Sequence, residues 1–172
     1  MNSFETKIVK TWDPSWKVRI LVAVLLLGSG VIAYVWKPEN PLLLHSAHAV
    51  YVICMFIALG QSFLKPRTLG FLKITRDEII IEKENESKTY KITELQDLGF
   101  DYVGYASFWK HTIYGNKNHL YFTHSSGERQ DLEITLENKE MKEELKFFLK
   151  ELSENNLLKI QQSGNFSFEL LD

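Results

Sequence analysis

Ile20–Trp36, ILVAVLLLGSGVIAYVW, and Leu42–Leu64, LLLHSAHAVYVICMFIALGQSFL, decide how this chain is built. Neither stretch contains a charged side chain, and only the short connector Lys37-Pro38-Glu39-Asn40-Pro41 separates them. At a helical rise of about 1.5 Å per residue they span about 26 and 35 Å, against a hydrocarbon core of about 30 Å. Both are long enough to cross a bilayer, the second with some tilt. The first begins late for a signal peptide, is long for its apolar core and has no small-x-small cleavage pattern after it. The pattern therefore predicts a retained transmembrane hairpin over residues 18–64, followed by one soluble domain.

The flanks predict an orientation. Lys7, Lys10, Lys17 and Arg19 precede the first run, Lys65, Arg67 and Lys73 follow the second, and the connector carries one cation, Lys37. By the positive-inside rule both termini are cytoplasmic, in a multi-pass protein of the inner (plasma) membrane. Trp12 and Trp16 mark the inner end of the hairpin and Tyr34 and Trp36 the outer one, as interfacial aromatics do. Residues 1–17 read as a cytoplasmic N-terminal segment. Pro41 suits the first turn of the second helix. Gly28-Ser29-Gly30 and the one-face set Ala47, Cys54 and Ala58 offer flat surfaces for helix–helix contact. His45 and His48, three apart, share a helix face; the geometry is compatible with metal or haem ligation, but interfacial histidines near Pro41 are the simpler reading. No cofactor is expected.

From Lys65 onward the chain carries fifteen basic and nineteen acidic residues. An acidic domain excludes nucleic acid as a natural partner, and it lacks the polybasic surface typical of anionic-lipid binders. The single cysteine, Cys54, leaves no intrachain disulfide and fits a reducing compartment.

After Leu64 the long apolar runs give way to short alternating ones. Strands are predicted at Phe71–Thr75, Glu78–Lys83 (with Ile79, Ile80 and Ile81), Lys88–Ile92, Gln96–Tyr105, Phe108–Tyr114, His119–Thr123 and Arg129–Ile134. Turn signals separate them, among them Glu84-Asn85-Glu86-Ser87, Gly115-Asn116-Lys117-Asn118 and Ser125-Ser126-Gly127-Glu128. A helix follows over Leu136–Glu154, where Met141, Leu145, Phe148, Leu149 and Leu152 form one apolar stripe opposite Glu and Lys residues.

Seven antiparallel strands followed by one amphipathic C-terminal helix is the element order of the pleckstrin-homology superfold. Ile74-Thr75-Arg76-Asp77-Glu78-Ile79-Ile80 and Tyr90-Lys91-Ile92-Thr93-Glu94-Leu95-Gln96-Asp97-Leu98 resemble stretches of its bacterial members, so the segment 68–156 is similar to a bacterial pleckstrin-homology-like (PH-like) domain. The resemblance implies an α+β fold, a bent, barrel-like sheet of seven strands plugged by the helix, in a small bacterial membrane protein. The loop corresponding to the basic phosphoinositide-binding loop of eukaryotic members is acidic here, Glu84-Asn85-Glu86-Ser87, which argues against inositol-phosphate recognition. The resemblance implies binding rather than catalysis.

The densest aromatic stretch, Tyr102, Tyr105, Phe108, Trp109, His111 and Tyr114, serves either the core or a binding surface. His111, His119 and His124 have no metal-ligand rhythm, and no nucleophile elbow, phosphate loop or paired catalytic carboxylates appear. Residues 157–172 form a tail in which Phe166, Phe168 and Leu170 alternate at strand period, suited to strand addition at a sheet edge or to a frayed end. The expected binding residues are thus Tyr102, Tyr105, Trp109, Tyr114, Phe166 and Phe168. The expected function is a membrane-tethered, non-enzymatic scaffold whose partners are the lipid bilayer and a membrane or cytoplasmic protein, or a second copy of itself. The alternative is a lipid or small-ligand sensor.

Overall fold

The computed structural model describes residues 3–60, 64–84, 86–107, 113–154 and 160–164. The chain divides into two compact units, Trp12–Leu64 and a second made from Met1–Thr11 together with Lys65–Asp172.

The first unit is helical. Helix α1, Trp16–Gly30, continues as a π-helical segment, Val31–Trp36, and ends at Lys37, whose φ of 49° turns the chain. Helix α2, Pro41–Gly60, starts where the sequence places it. Asn40 caps it, its Oδ1 accepting from the N–H groups of Leu42 at 3.0 Å and Leu43 at 3.4 Å, and Pro41 fills the first helical position, where no donor is needed. Ser29, Ala33, Ala47 and Cys54 are buried where the helices meet, and Gly30 admits the Tyr51 ring. Gly28 and Ala58, by contrast, do not serve the contact: nothing lies within 4 Å of a Cβ at Gly28, and Ala58 is exposed. Leu21, Val24, Leu27, Val31 and Val35 on one helix and Leu42, Val52, Ile53, Phe56 and Leu59 on the other are exposed. Helices this apolar with their large side chains outward suit lipid surroundings, not a soluble core.

Among the described residues the second unit is an eight-stranded sheet with one α-helix. Its strands are β1 (Ser3–Lys10), β2 (Arg67–Thr75), β3 (Glu78–Lys83), β4 (Glu86–Lys91), β5 (Leu95–Tyr102), β6 (Asn118–His124), β7 (Arg129–Ile134) and β8 (Ile160–Gly164), in the spatial order β4-β3-β2-β1-β7-β6-β5-β8. All neighbours run antiparallel except β5 and β8. Helix α3 spans Lys139–Glu154.

Strand β1 corrects the expected organisation. Residues 1–17 are not a separate segment, because Ser3–Lys10 forms an inner strand of the sheet, paired on one side with β2 and on the other with β7. The alternation is clean: Phe4, Thr6 and Ile8 are buried while Glu5 and Lys7 face outward. The apolar hairpin is therefore inserted between two hydrogen-bonded neighbours, β1 and β2, and does not simply precede the domain. The β1–β2 register shifts after Ile8, so that Val9 pairs with Thr68, and Leu69 is the extra residue of a bulge. At the bulge Gly70 is required, since a Cβ there would stand 1.8 Å from the Glu82 carbonyl oxygen of β3.

The expected strand at Phe108–Tyr114 has no counterpart in its described part: Ile113 and Tyr114 lie in a bend, and residues 108–112 fall outside the described residues. Among the described residues the strand total is nonetheless above the expected seven, because β1 and β8 were not foreseen.

The core is continuous. Leu72, Ile74 and Ile79 from the first half of the sheet, with Ile92 from the 3-10 turn that follows β4, meet Leu98, Phe100, Leu120, Phe122, Leu132 and Ile134 from the second. Leu145, Phe148, Leu149 and Leu152 of α3 complete it, the stripe read from the sequence, with Met141 partly buried against its edge. Arg76 in the β2–β3 turn forms an ion pair with Glu151 of α3.

Candidate functional site

The expected aromatic surface divides by depth. Tyr102 is 2% exposed; its ring lies 6.3 Å from that of Phe100, and the Lys142 ammonium sits 5.8 Å from its centroid. It belongs to the core, as a Tyr at an inward position of β5 must. Tyr105 is partly buried against the same core. Tyr114 is half-buried and lines a surface cleft. Trp109, Phe166 and Phe168 lie outside the described residues.

The segment from Val103 to Lys117, described except for 108–112, is built around Asn118, the fully buried first residue of β6. Its Oδ1 accepts from the N–H groups of Val103 at 2.8 Å and Gly104 at 3.1 Å, and its Nδ2 donates to the Gly104 and Gly115 carbonyls, each at 2.8 Å. Every donor and acceptor of the amide is used. The Ala106 N–H donates to the Leu136 carbonyl at 2.7 Å, and the Leu136 N–H to the Gly115 carbonyl at 2.8 Å. Gly115, at φ 63°, leaves no room for a side chain, since a Cβ would stand 2.0 Å from the Leu136 oxygen.

A second network fastens the end of β1. Thr11 donates through both its N–H, at 3.0 Å, and its hydroxyl to the Glu133 carboxylate on β7. Glu133 also accepts from the Lys117 N–H at 3.0 Å, and Asn116 Nδ2 donates to the Thr11 hydroxyl at 2.5 Å. One carboxylate thus ties together the last residue before the hairpin, the strand beside it and the loop before β6.

Next to these networks lies a cleft of about 310 Å³. Val9, Pro66, Ala106 and Ile113 give it apolar walls, while Lys7, Lys65, Thr68, Tyr114, Thr135 and Glu137 bring polar groups. Lys7 and Glu137 are joined by a 2.6 Å ion pair, half-exposed on both sides and so worth little in stability. Lys65 has no ion-pair partner among the described residues. Thr135 is buried, with its N–H donating to the Lys7 carbonyl at 3.2 Å and its carbonyl accepting from the Thr6 hydroxyl at 2.5 Å, yet its own hydroxyl has no partner among the described residues. A buried hydroxyl left unpaired costs about 1–3 kcal/mol. Sequence reasoning missed this cleft because its residues come from four separate segments, none of them motif-like.

Elsewhere the four described histidines each have a neighbour on a ring nitrogen, and His111 lies outside the described residues. His45 Nδ1 lies 2.5 Å from the Pro41 carbonyl and His48 Nδ1 2.8 Å from that of Leu44, one helical turn back in each case. His119 pairs with Asp131 at 2.8 Å and His124 with Glu94 at 3.3 Å. Among the described residues no cluster of three or more His, Cys, Asp or Glu is placed to hold a metal ion.

On the outer part of β4, Tyr90 donates to Glu128 at 3.2 Å, Gln130 donates to the same oxygen at 2.6 Å, and Lys88 stands 3.6 Å away. The Gln130 and Tyr90 hydrogen bonds hold the Glu128 carboxyl below its ordinary pKa. Burial, then the hydrogen bond and charge of Glu128, push the Tyr90 phenol above its own.

Compared with known protein families and with curated proteins, the chain matches none.

Proposed function

We propose that this chain is a membrane-tethered, non-enzymatic binding module that presents a PH-like domain at the cytoplasmic face of the inner membrane to a protein partner or to another copy of itself. The observation that carries the reading is the position of the hairpin. Because β1 and β2 are paired along their length, the chain must leave and re-enter the sheet at the same end, Lys10 opposite Arg67. Two spans inserted between such strands bring the chain back to the side from which it left, independently of any charge rule. The cation distribution then favours the cytoplasm for that side.

The PH-like reading is supported by an antiparallel meander, β1 to β4, followed by a second, β5 to β7, and one C-terminal helix packed on the common core. With β8 set aside, these strands and the helix support the PH-like reading, Ser3–Lys10 standing in it where the sequence led to the expectation of Phe108–Tyr114. Binding through strand addition is supported by the two sheet edges, β4 and β8. Strand β8 already shows the chemistry, pairing in parallel with β5 from Leu98↔Ile160 to Tyr102↔Gly164. It differs from the expected tail strand, whose residues Phe166, Phe168 and Leu170 lie outside the described ones. Tethering keeps the effective concentration of such weak contacts high.

The test has two arms. In a Cys54→Ser background, cysteines placed at Asn40 and at Ser126 are probed with a membrane-impermeant maleimide in intact cells. Labelling of the first alone supports the orientation, and the reverse pattern overturns it. Mild crosslinking in native membranes then asks what the domain holds: a near-stoichiometric partner or a crosslinked dimer supports the module, and uncrosslinked monomer throughout counts against it. The cleft beside Thr135 favours the second reading, a ligand sensor.

A further inference from the structure

The cleft beside β1 combines three features that a merely structural crevice does not need. It carries two cations, Lys7 and Lys65, against one acid, Glu137. Apolar residues, Val9, Pro66, Ala106 and Ile113, form part of its lining. It includes Thr135, whose solvent-shielded hydroxyl is without a hydrogen-bond partner among the described residues although both backbone groups of the same residue are satisfied. Native proteins rarely leave such a group unpaired unless something else supplies the partner.

We propose that this cleft binds a phosphate ester, with Lys65 and Lys7 balancing its charge and the Thr135 hydroxyl donating to one of its oxygens. Thr135 lines the cleft while its hydroxyl is buried, so binding requires a change to another of the populated threonine rotamers. The Lys7–Glu137 pair is half-exposed on both sides, so an arriving anion competes with Glu137 for the same ammonium at little cost. Lys65 needs no such release. Thr68 also lines the cleft.

The source of the phosphate follows from the chain path. Lys65 is the residue immediately after Leu64, where the helical unit ends, and Lys7 and Val9 lie just before the residues where it begins. An anionic phospholipid headgroup is therefore the phosphate ester closest at hand along the chain. This choice of source, though not the site itself, rests on the reading of the hairpin as membrane-spanning. Carbonate extraction of native membranes tests that reading separately.

The full chain in uncharged maltoside micelles provides the test. Its unfolding midpoint is followed while the micelles are doped with phosphatidylglycerol or with phosphatidylcholine, and in a separate arm while inorganic phosphate is added. A saturable rise with phosphatidylglycerol and not with phosphatidylcholine assigns the site to an anionic headgroup; an equal rise with inorganic phosphate assigns it to a soluble ester. Lys65→Gln should weaken the apparent affinity by about tenfold, the worth of one charge-assisted hydrogen bond. Thr135→Val, which keeps the shape and removes the unpaired hydroxyl, should unfold no earlier than the parent without ligand yet lose most of the ligand-induced rise. No saturable rise with either probe, equal rises with the two lipids, or rises unchanged in both variants would overturn the proposal.

Discussion

Lys10 and Arg67 stand on opposite sides of the whole apolar hairpin in the chain, yet face each other as cross-strand partners in one sheet. The helical unit takes the place, in the chain, of the connection between two neighbouring strands. This pairing makes the sheet unit discontinuous in sequence, and it sets what can be removed from the chain without losing the fold.

Joining Thr11 to Lys65 through Asn-Gly, with Trp12–Leu64 deleted, should give a soluble protein that unfolds cooperatively. The new connection closes two strands that are already adjacent and antiparallel, by a loop of ordinary length. The fragment 65–172 alone should not fold, since it lacks the strand that joins β2 to β7. Without β1 the buried side chains Phe4 and Ile8 leave the core, each of them among its largest fully buried members. Urea titration followed by circular dichroism distinguishes the two: a sigmoidal transition for the first and a featureless slope for the second. A cooperative transition in the fragment would mean that β1 is dispensable.

Asn118 is the polar centre of the β5–β6 connection. Asn118→Leu, close in size, leaves two N–H groups and two carbonyls without their partner. A loss of about 3–5 kcal/mol is expected, because each backbone group stranded in the interior costs the desolvation already paid for it. Asn118→Asp keeps the acceptor and sets a carboxylate oxygen against two carbonyls, so it should also destabilise and should do so more at neutral than at mildly acid pH. Equal stability of Asn118→Asp at pH 7 and pH 4 would contradict this geometry.

Gly99 on β5 lies under the ring of Tyr121 on β6, its cross-strand partner, and Arg129 stands 5.3 Å from the other end of the contact, the Tyr121 ring centroid. A Cβ at Gly99 would fall 2.1 Å from the Tyr121 ring, so Gly99→Ala must push the ring off the sheet. Destabilisation of about 1–3 kcal/mol is expected. In the double variant with Tyr121→Ala the two losses should not add, since the clash disappears with the ring. Additivity within error in a double-mutant cycle would show that the steric account is wrong.

Much of the sheet was legible in the sequence because its strands alternate. Glu78–Lys83 and Arg129–Ile134 appear with the expected bounds, and β2, β4, β5 and β6 with ends shifted by a few residues, as the apolar period of two dictates. The helix stripe from Leu145 to Leu152 was legible for the same reason, at period 3.6. Strand β1 carries the signal too, with Phe4, Thr6 and Ile8 inward, but Lys7 and Lys10 also read as cations flanking an apolar run. The two patterns occupy the same residues, and the pairing that separates them crosses the hairpin. Ile160-Gln161-Gln162-Ser163-Gly164 has the composition of a linker and joins β5 through its backbone, which composition does not reveal. Tyr102 illustrates the limit for sites: an aromatic-rich stretch does not say which ring enters the core, since that depends on the register of β5 against β6. The Thr135 cleft draws on β1, the start of β2, the β5–β6 connection and the end of β7, a set that only the folded order brings together.

The pair Tyr90 and Glu128 gives the sheet unit a defined response at both ends of the pH scale. Glu128 has its folded pKa lowered by hydrogen bonds from Gln130 and Tyr90, so its contribution is present above the unfolded carboxylate value and is lost as pH falls through the folded one. Tyr90 has its folded pKa raised, by burial first and by Glu128 next, from an ordinary value of 10.0. Its contribution is complete below that value and is lost as pH rises through the folded pKa. Glu128→Gln should therefore flatten the acid limb of stability against pH between about 5 and 3, a window set by the ordinary carboxylate pKa and its downward shift. The same variant should lessen the alkaline loss, since the charge that opposes Tyr90 ionisation is gone. Tyr90→Phe should remove the Tyr90 part of the alkaline loss and weaken only part of the acid limb, because Gln130 still donates to the carboxylate at 2.6 Å. Midpoints of urea unfolding, measured on the hairpin-excised domain from pH 3 to pH 11, check all three expectations. An acid limb unchanged in Glu128→Gln would overturn the role given to this carboxylate.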